Sequence, residues 1–284
     1  MKKKLILFAK IFLSILALWL VFSKINIEQI LNIISNANYF SLVVAFIFFT
    51  FSRFAGSYRM SFYFENLGMK LSQIFNLKLY YLGMFYNLFL PGGIGGDGYK
   101  VYFLHKHYGA KVKDLINALL QDRISGLFAL LILLCSCFGF SSFMNMFGVN
   151  LAVLFLVAIA SFSVIFYISK FTKKFHSFFA KGFFVAFSLQ IFQVICALLI
   201  LFSFGITDNF GNYLTIFLIS SIVSVLPISF GGIGARELTF VYLLEFIDQG
   251  TEIGVALSVL FFIFTAISSL FGVFFMNIKP EKDC

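Results

Sequence analysis

The chain has little charge, little proline, little histidine and almost no tryptophan. Asp, Glu, Lys and Arg make up only 12% of its 284 residues, about half the usual share for a soluble domain. No polar stretch is long enough to build a separate core, so a soluble enzyme, a disulfide-rich secreted domain and a disordered chain are all excluded. Three histidines (His105, His107, His176) and four cysteines (Cys135, Cys137, Cys196, Cys284) give no metal-ligand spacing. The C-terminal Glu281-Lys282-Asp283-Cys284 is not a prenylation box, because its cysteine is last rather than fourth from the end. Neither a phosphate-binding Gly-Lys-Ser/Thr nor a dinucleotide-type glycine fingerprint on a strand is present. No cofactor is expected.

What remains is apolar: 61% hydrophobic residues, with 44 Phe. The abundance of Phe beside Ile, Lys and Asn reads as a coding bias that fills lipid-facing positions. The apolar residues come in runs of about 20, the length of helix a bilayer core requires. Leu5–Phe22 follows Lys2-Lys3-Lys4 and has no small-residue cleavage site after it, so it is expected to be retained rather than removed as a signal peptide. Further spans are expected over Tyr39–Gly56, Leu115–Phe140, Asn150–Ile168, Gly182–Phe204 and Gly254–Met276. The fold expected is all-α and polytopic, a single integral membrane domain over 1–284.

The net charge of +9 raises nucleic acid as a partner, but the basic residues sit between apolar runs, where they set orientation. With both termini cytoplasmic, only Lys24 and Arg236 of the 21 basic residues fall outside, while the 12 acidic residues split six and six. The outside then carries −4 and the inside +13. Lys170, Lys173, Lys174 and Lys181 face anionic inner-leaflet lipids in this scheme, and Arg53 and Arg59 read as anchors at the inner boundary.

Two apolar segments, Ile74–Leu104 and Tyr213–Phe246, begin and end on one side under that count. Each therefore reads as a re-entrant or broken-helix hairpin, and each breaks at the same kind of sequence. The first runs Pro91-Gly92-Gly93-Ile94-Gly95-Gly96-Asp97, the second Pro227-Ile228-Ser229-Phe230-Gly231-Gly232-Ile233-Gly234-Ala235-Arg236-Glu237. Two of the chain's three prolines stand here, and Gly-Gly-Ile-Gly recurs at 92 and at 231. Proline removes a backbone donor and clashes with the preceding turn; the glycines permit sharp turns. Each half then reads span, span, hairpin, span, over about 1–140 and 150–278. Three crossings per half place the second half in inverted orientation: six full spans plus two hairpins. Paired broken segments in inverted repeats point to a binding site near the membrane midplane.

Asp97, Lys100, Arg236 and Glu237 lie just past the glycines, and Asp122-Arg123 opens the third span. A charge at bilayer depth costs roughly 2.5–3.5 kcal/mol, so such residues are paired or face a polar ligand. An Arg at 123 or 236 can hold a phosphate bidentately, and helix starts after the glycines add N–H donors. A structural ion pair between Asp122-Arg123 and the hairpin accounts for the same residues. The candidate substrate-binding set is Gly92, Gly93, Gly95, Gly96, Asp97, Lys100, Asp122, Arg123, Gly231, Gly232, Gly234, Arg236 and Glu237.

Pro91-Gly92-Gly93-x-Gly95-Gly96-Asp97, Asp122-Arg123-x-x-Gly126-Leu127 and Pro227-x-x-x-Gly231-Gly232-x-Gly234-x-Arg236-Glu237 resemble three signatures of the flippase-like membrane domain family. That family is the transmembrane region of bacterial lysylphosphatidylglycerol synthases, found also as stand-alone proteins. The resemblance covers nearly the whole chain. In the two-part members this membrane domain is implicated in moving an aminoacylated phospholipid between leaflets; the resemblance implies residence in a bacterial inner membrane and movement of a phospholipid or polyprenyl-linked anionic headgroup, with a separate synthase as a possible partner. The cytosolic aminoacyl-transfer domain of the two-part members is not expected here, so neither is lysyl transfer. A membrane enzyme acting on a lipid-linked phosphate or sugar, and a scaffold subunit of a synthase, remain alternatives. One expectation is topological: a reporter fused near residue 145 reads outside and one near 175 inside, and the opposite pattern contradicts the inverted repeat.

Overall fold

Apolar runs uninterrupted by proline form long helices, and the two proline–glycine breaks divide shorter ones. The protein was analysed as a computed structural model that describes residues 26–89, 95–148, 176–225 and 234–281, with isolated positions between 19 and 23 and between 150 and 167. The described regular structure is helical throughout: α1 (Ile27–Ser35), α2 (Tyr39–Glu65), α3 (Gln73–Phe89), α4 (Gly95–Tyr108), α5 (Val112–Phe138), α6 (Ser142–Met146), α7 (His176–Ser203), α8 (Phe210–Val225), α9 (Ala235–Phe246) and α10 (Thr251–Leu270), closed by a 3₁₀ turn at Phe271–Phe275. Among the described residues four stretches are long and apolar enough to cross a bilayer: Tyr39–Glu65, Val112–Phe138, Lys181–Ser203 and Thr251–Phe275. The chain is a polytopic α-helical membrane protein. The two other expected spans, Leu5–Phe22 and Asn150–Ile168, lie outside the described residues save for isolated positions.

The two broken segments are helical hairpins. α3 and α4 run antiparallel: Phe75 faces Phe103 (ring centroids 6.0 Å apart), Tyr86 stacks on Tyr99 (4.5 Å), and Gly83 lies against Gly96. A Cβ on Gly96 would collide with the Gly83 carbonyl, so this crossing brings backbone onto backbone, as small residues allow in membrane helices. The mouth of the hairpin is tied at one point. Glu281 accepts hydrogen bonds from the Ser72 backbone and hydroxyl, and its own N–H donates to Tyr108 Oη at 2.9 Å.

α8 and α9 form the second hairpin, and its mouth lies beside the turn after α5. Asn212 Oδ1 accepts from the Ser142 N–H at 2.7 Å, Gly211 abuts the Phe140 carbonyl, and Phe246 stacks on Phe147 at 5.9 Å. Over the described residues none of the four hairpin helices exceeds 17 residues, about 26 Å of helix.

The two hairpins approach from opposite ends of the bundle. One apolar core joins the late part of α2 (Met60, Phe64) and the early part of α5 (Leu115, Leu119) to α3 and α4. The larger core joins the early part of α2 (Ala45, Phe49) and the late part of α5 (Leu130) to α7, α8, α9 and α10. α2 and α5 are each 27 residues long, about 40 Å, and Asp97 of the first hairpin and Val225 of the second share a cavity with their mid-helix residues Arg53, Asp122 and Arg123. Phe is more than a lipid-facing filler here. Phe49, Phe64, Phe217 and Phe240 are fully buried, and Phe49 and Phe217 both pack edge-on against Phe261; edge-to-face aromatic contacts add attraction beyond the area buried. Exposed Phe also exists, at Phe40, Phe184 and Phe274.

The glycine crossing yields a stability prediction. Gly96→Ala costs about 1–3 kcal/mol through overpacking, read as a lower melting temperature of the detergent-solubilised protein. Gly98→Ala, with open space around it, does not lower it.

Candidate functional site

Midway along the bundle, α5 carries an acid and a base side by side, and they reach in different directions. Asp122 accepts from Arg59 of α2 through both oxygens, Nε to Oδ1 at 2.6 Å and Nη2 to Oδ2 at 2.9 Å. Both side chains are buried. Gly126 clears the space the guanidinium occupies: a Cβ there would stand 3.1 Å from Arg59 Nη1. Tyr63 donates to Ser125 at 3.0 Å, and Ser125 donates to the Asp122 carbonyl at 2.9 Å. Arg59 is thus a buried strut rather than an inner-boundary anchor, because its fork is matched by a carboxylate inside the bundle.

Arg123 turns the other way, to the tip of the first hairpin. Its Nε and Nη2 donate to Asp97 Oδ2 at 2.9 and 2.6 Å, and Lys100 Nζ lies 3.4 Å from Oδ1. Asp97 stands in the first turn of α4, where the helix dipole also favours a negative charge. Asn87 caps that turn by accepting the Gly96 N–H at 2.7 Å. The Lys100 stem packs where Gly83 lacks a side chain, and its ammonium sits 5.2 Å from the Tyr80 ring.

At the second hairpin, Gly234 takes a positive φ of 81° and forms the N-cap of α9, a conformation that glycine adopts at little cost. Glu237 closes this cap: its Oε2 accepts the Gly234 N–H at 2.7 Å, and its Oε1 accepts from Ser258 at 2.8 Å. Arg236 has no such partner among the described residues. Its guanidinium lies over Phe261 (4.8 Å) and Phe217 (5.6 Å). Arg53 of α2 is similarly placed, over Phe49 at 4.4 Å and donating to Ser52 Oγ at 3.1 Å.

Arg53 and Arg236 line one cavity of about 250 Å³ with Gln190, Gln193, Ser221, Ser224 and Glu237. A second cavity of about 370 Å³ continues from it past Arg53, Ser224, Val225 and Thr265 to Asp97, Lys100, Asp122 and Arg123. A third, about 500 Å³ and almost wholly apolar, lies between α4 and α5 along Val101, Ile116, Leu119 and Leu120, touching the others at Asp97, Arg123 and Val225.

The structure therefore gathers Asp97, Lys100, Asp122 and Arg123 around one space and Arg236 and Glu237 around the adjoining one. Gly95 and Gly96 open α4, and Gly234 caps α9. Gly92, Gly93, Gly231 and Gly232 lie outside the described residues. Arg53 is the cavity residue that sequence reading assigned elsewhere; its mid-helix position in a bundle span, rather than at a boundary, was the available signal. Gln190 and Gln193, nearly one turn apart inside an apolar span, carry the same signal.

The sequence profile of the lysylphosphatidylglycerol synthase TM region matches residues 7–272. The chain belongs to that family. No curated protein matches the chain. The central charges fall into two classes, those that tie helices together and those left facing the cavity.

The tying class can be tested on stability. Asp122→Asn leaves Arg59 buried and without its partner charge, costing about 3–5 kcal/mol. The paired replacement Arg59→Met with Asp122→Leu recovers most of that loss, read as melting temperature in detergent.

Proposed function

We propose that this protein moves the anionic headgroup of a membrane lipid between the leaflets of a bacterial inner membrane, with both termini cytoplasmic. The observation that carries the reading is the pair Arg53 and Arg236. They are two guanidiniums in one cavity between two helix breaks, neither held by a carboxylate among the described residues. Guanidinium is the side chain best shaped to take a phosphate through two parallel hydrogen bonds. The apolar cleft between α4 and α5 adjoins this polar space and carries the half-exposed Ile116 and Leu120 on its rim. A headgroup inside with its chains outside fits that division.

Family membership supports a lipid-related role. The approach of the hairpins from opposite ends supports an inverted repeat over about 1–140 and 150–278, and with it access that alternates as one half rocks against the other. Transport rather than catalysis is favoured by the state of the acids. Asp97 and Asp122 are each ion-paired to an arginine and Glu237 caps its own helix, so each of the three has a role that needs no catalysis. A separate synthase would supply the lipid.

The test is leaflet exchange of fluorescent phosphatidylglycerol in liposomes containing the purified protein. Exchange is expected to need protein and to fall at least tenfold in Arg53→Gln and in Arg236→Gln, with Arg236→Lys intermediate. Absence of protein-dependent exchange, or exchange indifferent to both arginines in folded variants, overturns the proposal.

A further inference from the structure

The last helix is fastened to the first hairpin at two places of opposite character. The first is a backbone crossing. α10 passes directly into the 3₁₀ turn Phe271–Phe275, and that turn packs along α3. Gly272 is buried against the Tyr81 carbonyl, where a Cβ would collide with it and with Phe85. A small residue is what lets two membrane helices meet this closely. The winding changes from α to 3₁₀ at the same point, a change that often marks a hinge.

The second fastening is polar and lies at the mouth of the hairpin. Beyond the 3₁₀ turn, Ile278 packs on the apolar core that α3 and α4 share with α2 and α5. Glu281 then reaches both ends of the hairpin. Its carboxylate accepts from the Ser72 N–H at 2.9 Å and from the Ser72 hydroxyl, just ahead of α3. Its own N–H donates at 2.9 Å to Oη of Tyr108, the last residue of α4. Ser72 also caps α3, its Oγ accepting the Phe75 N–H at 3.2 Å. The Glu281 carboxylate therefore stands at the positive end of that helix dipole.

The two fastenings differ in how readily they part. The crossing is buried, whereas Ser72 is exposed. Hydrogen bonds at an exposed group exchange for bonds to water at small net cost. Nor does chain length hold Glu281 in place. Tyr81 and Ser72 are nine residues apart, about 13 Å along a helix. Gly272 and Glu281 are also nine apart, enough chain to reach about 30 Å when extended. Contacts alone keep Glu281 at the mouth.

We infer that residues 271–281 form a latch. α10 pivots on α3 at Gly272, and Glu281 ties the mouth of the first hairpin until it lets go. Its release is then a step in the movement of that hairpin against the second half. The inference builds on the rocking proposed above, so its test reads shape as well as transport.

The full chain, with its four cysteines replaced by alanine, carries spin labels at Lys111→Cys and Lys279→Cys, both exposed positions. Their separation is read by double electron–electron resonance in liposomes. Glu281→Ala is expected to raise the share of a longer separation at least threefold, with Tyr108→Phe intermediate and the melting temperature unchanged. Without labels, Glu281→Ala is expected to speed exchange of fluorescent phosphatidylglycerol at least threefold. Ser72→Cys/Glu281→Cys, bridged by a short bis-methanethiosulfonate, is expected to slow it at least tenfold and to recover on reduction.

Unchanged separations in Glu281→Ala overturn the inference. So does slower exchange in that variant, which makes the contact merely structural, or an undiminished rate in the bridged protein. Separations that respond in a protein showing no exchange in any form uphold the latch and sink the transport reading. Exchange that proceeds with separations unmoved does the reverse.

Discussion

Burying charge in a bilayer protein is costly, and the arrangement at the centre of this bundle follows from how that cost is met. Asp122 and Arg123 are adjacent on α5, so their side chains diverge by about a quarter turn. One reaches α2 through Arg59, the other reaches α4 through Asp97. Each pair carries a fork-type guanidinium contact, the geometry that best offsets desolvation. One helix thus fixes the position of a neighbouring span and of a hairpin tip at the same depth. Everything that lines the polar space is set relative to that junction.

The same logic explains why the cavity stays polar. Once Arg59, Lys100 and Arg123 have acids as partners, Arg53 and Arg236 are left lying over aromatic rings. A cation over a ring face gains about 0.5–2 kcal/mol, less than a carboxylate supplies, and it leaves the N–H groups open. Aromatic support holds the guanidinium in place without satisfying it. The Phe49, Phe217 and Phe261 cluster is therefore both the packed centre of the larger core and the floor beneath the two open cations.

Much of this could be read from the chain itself, because composition and punctuation act locally. The proline–glycine breaks placed both hairpins, with α3 and α4 covering the first segment and α8 and α9 the second. Asp97 and Arg123 stood out because nothing but pairing or a ligand excuses a charge at that depth. Pair identities were not legible: Asp122 finds Arg59 across 63 positions of sequence, and Asp97 finds Arg123 across 26. Arg53 and Arg59, six positions apart on one helix, look alike in sequence yet differ in fate, since only Arg59 comes opposite an acid. Glu237 lines the cavity beside Arg236, and packing has also made it the cap of its own helix and a partner of Ser258. Such distinctions depend on which helices end up side by side, which no local pattern encodes.

Val225, on α8, borders all three cavities. It marks the threshold where guanidinium and amide surroundings give way to hydrocarbon. A two-part molecule seated across that threshold would have its charged end and its oily end on either side of a single isopropyl group. This valine therefore sets the depth at which the polar space ends and the apolar cleft begins.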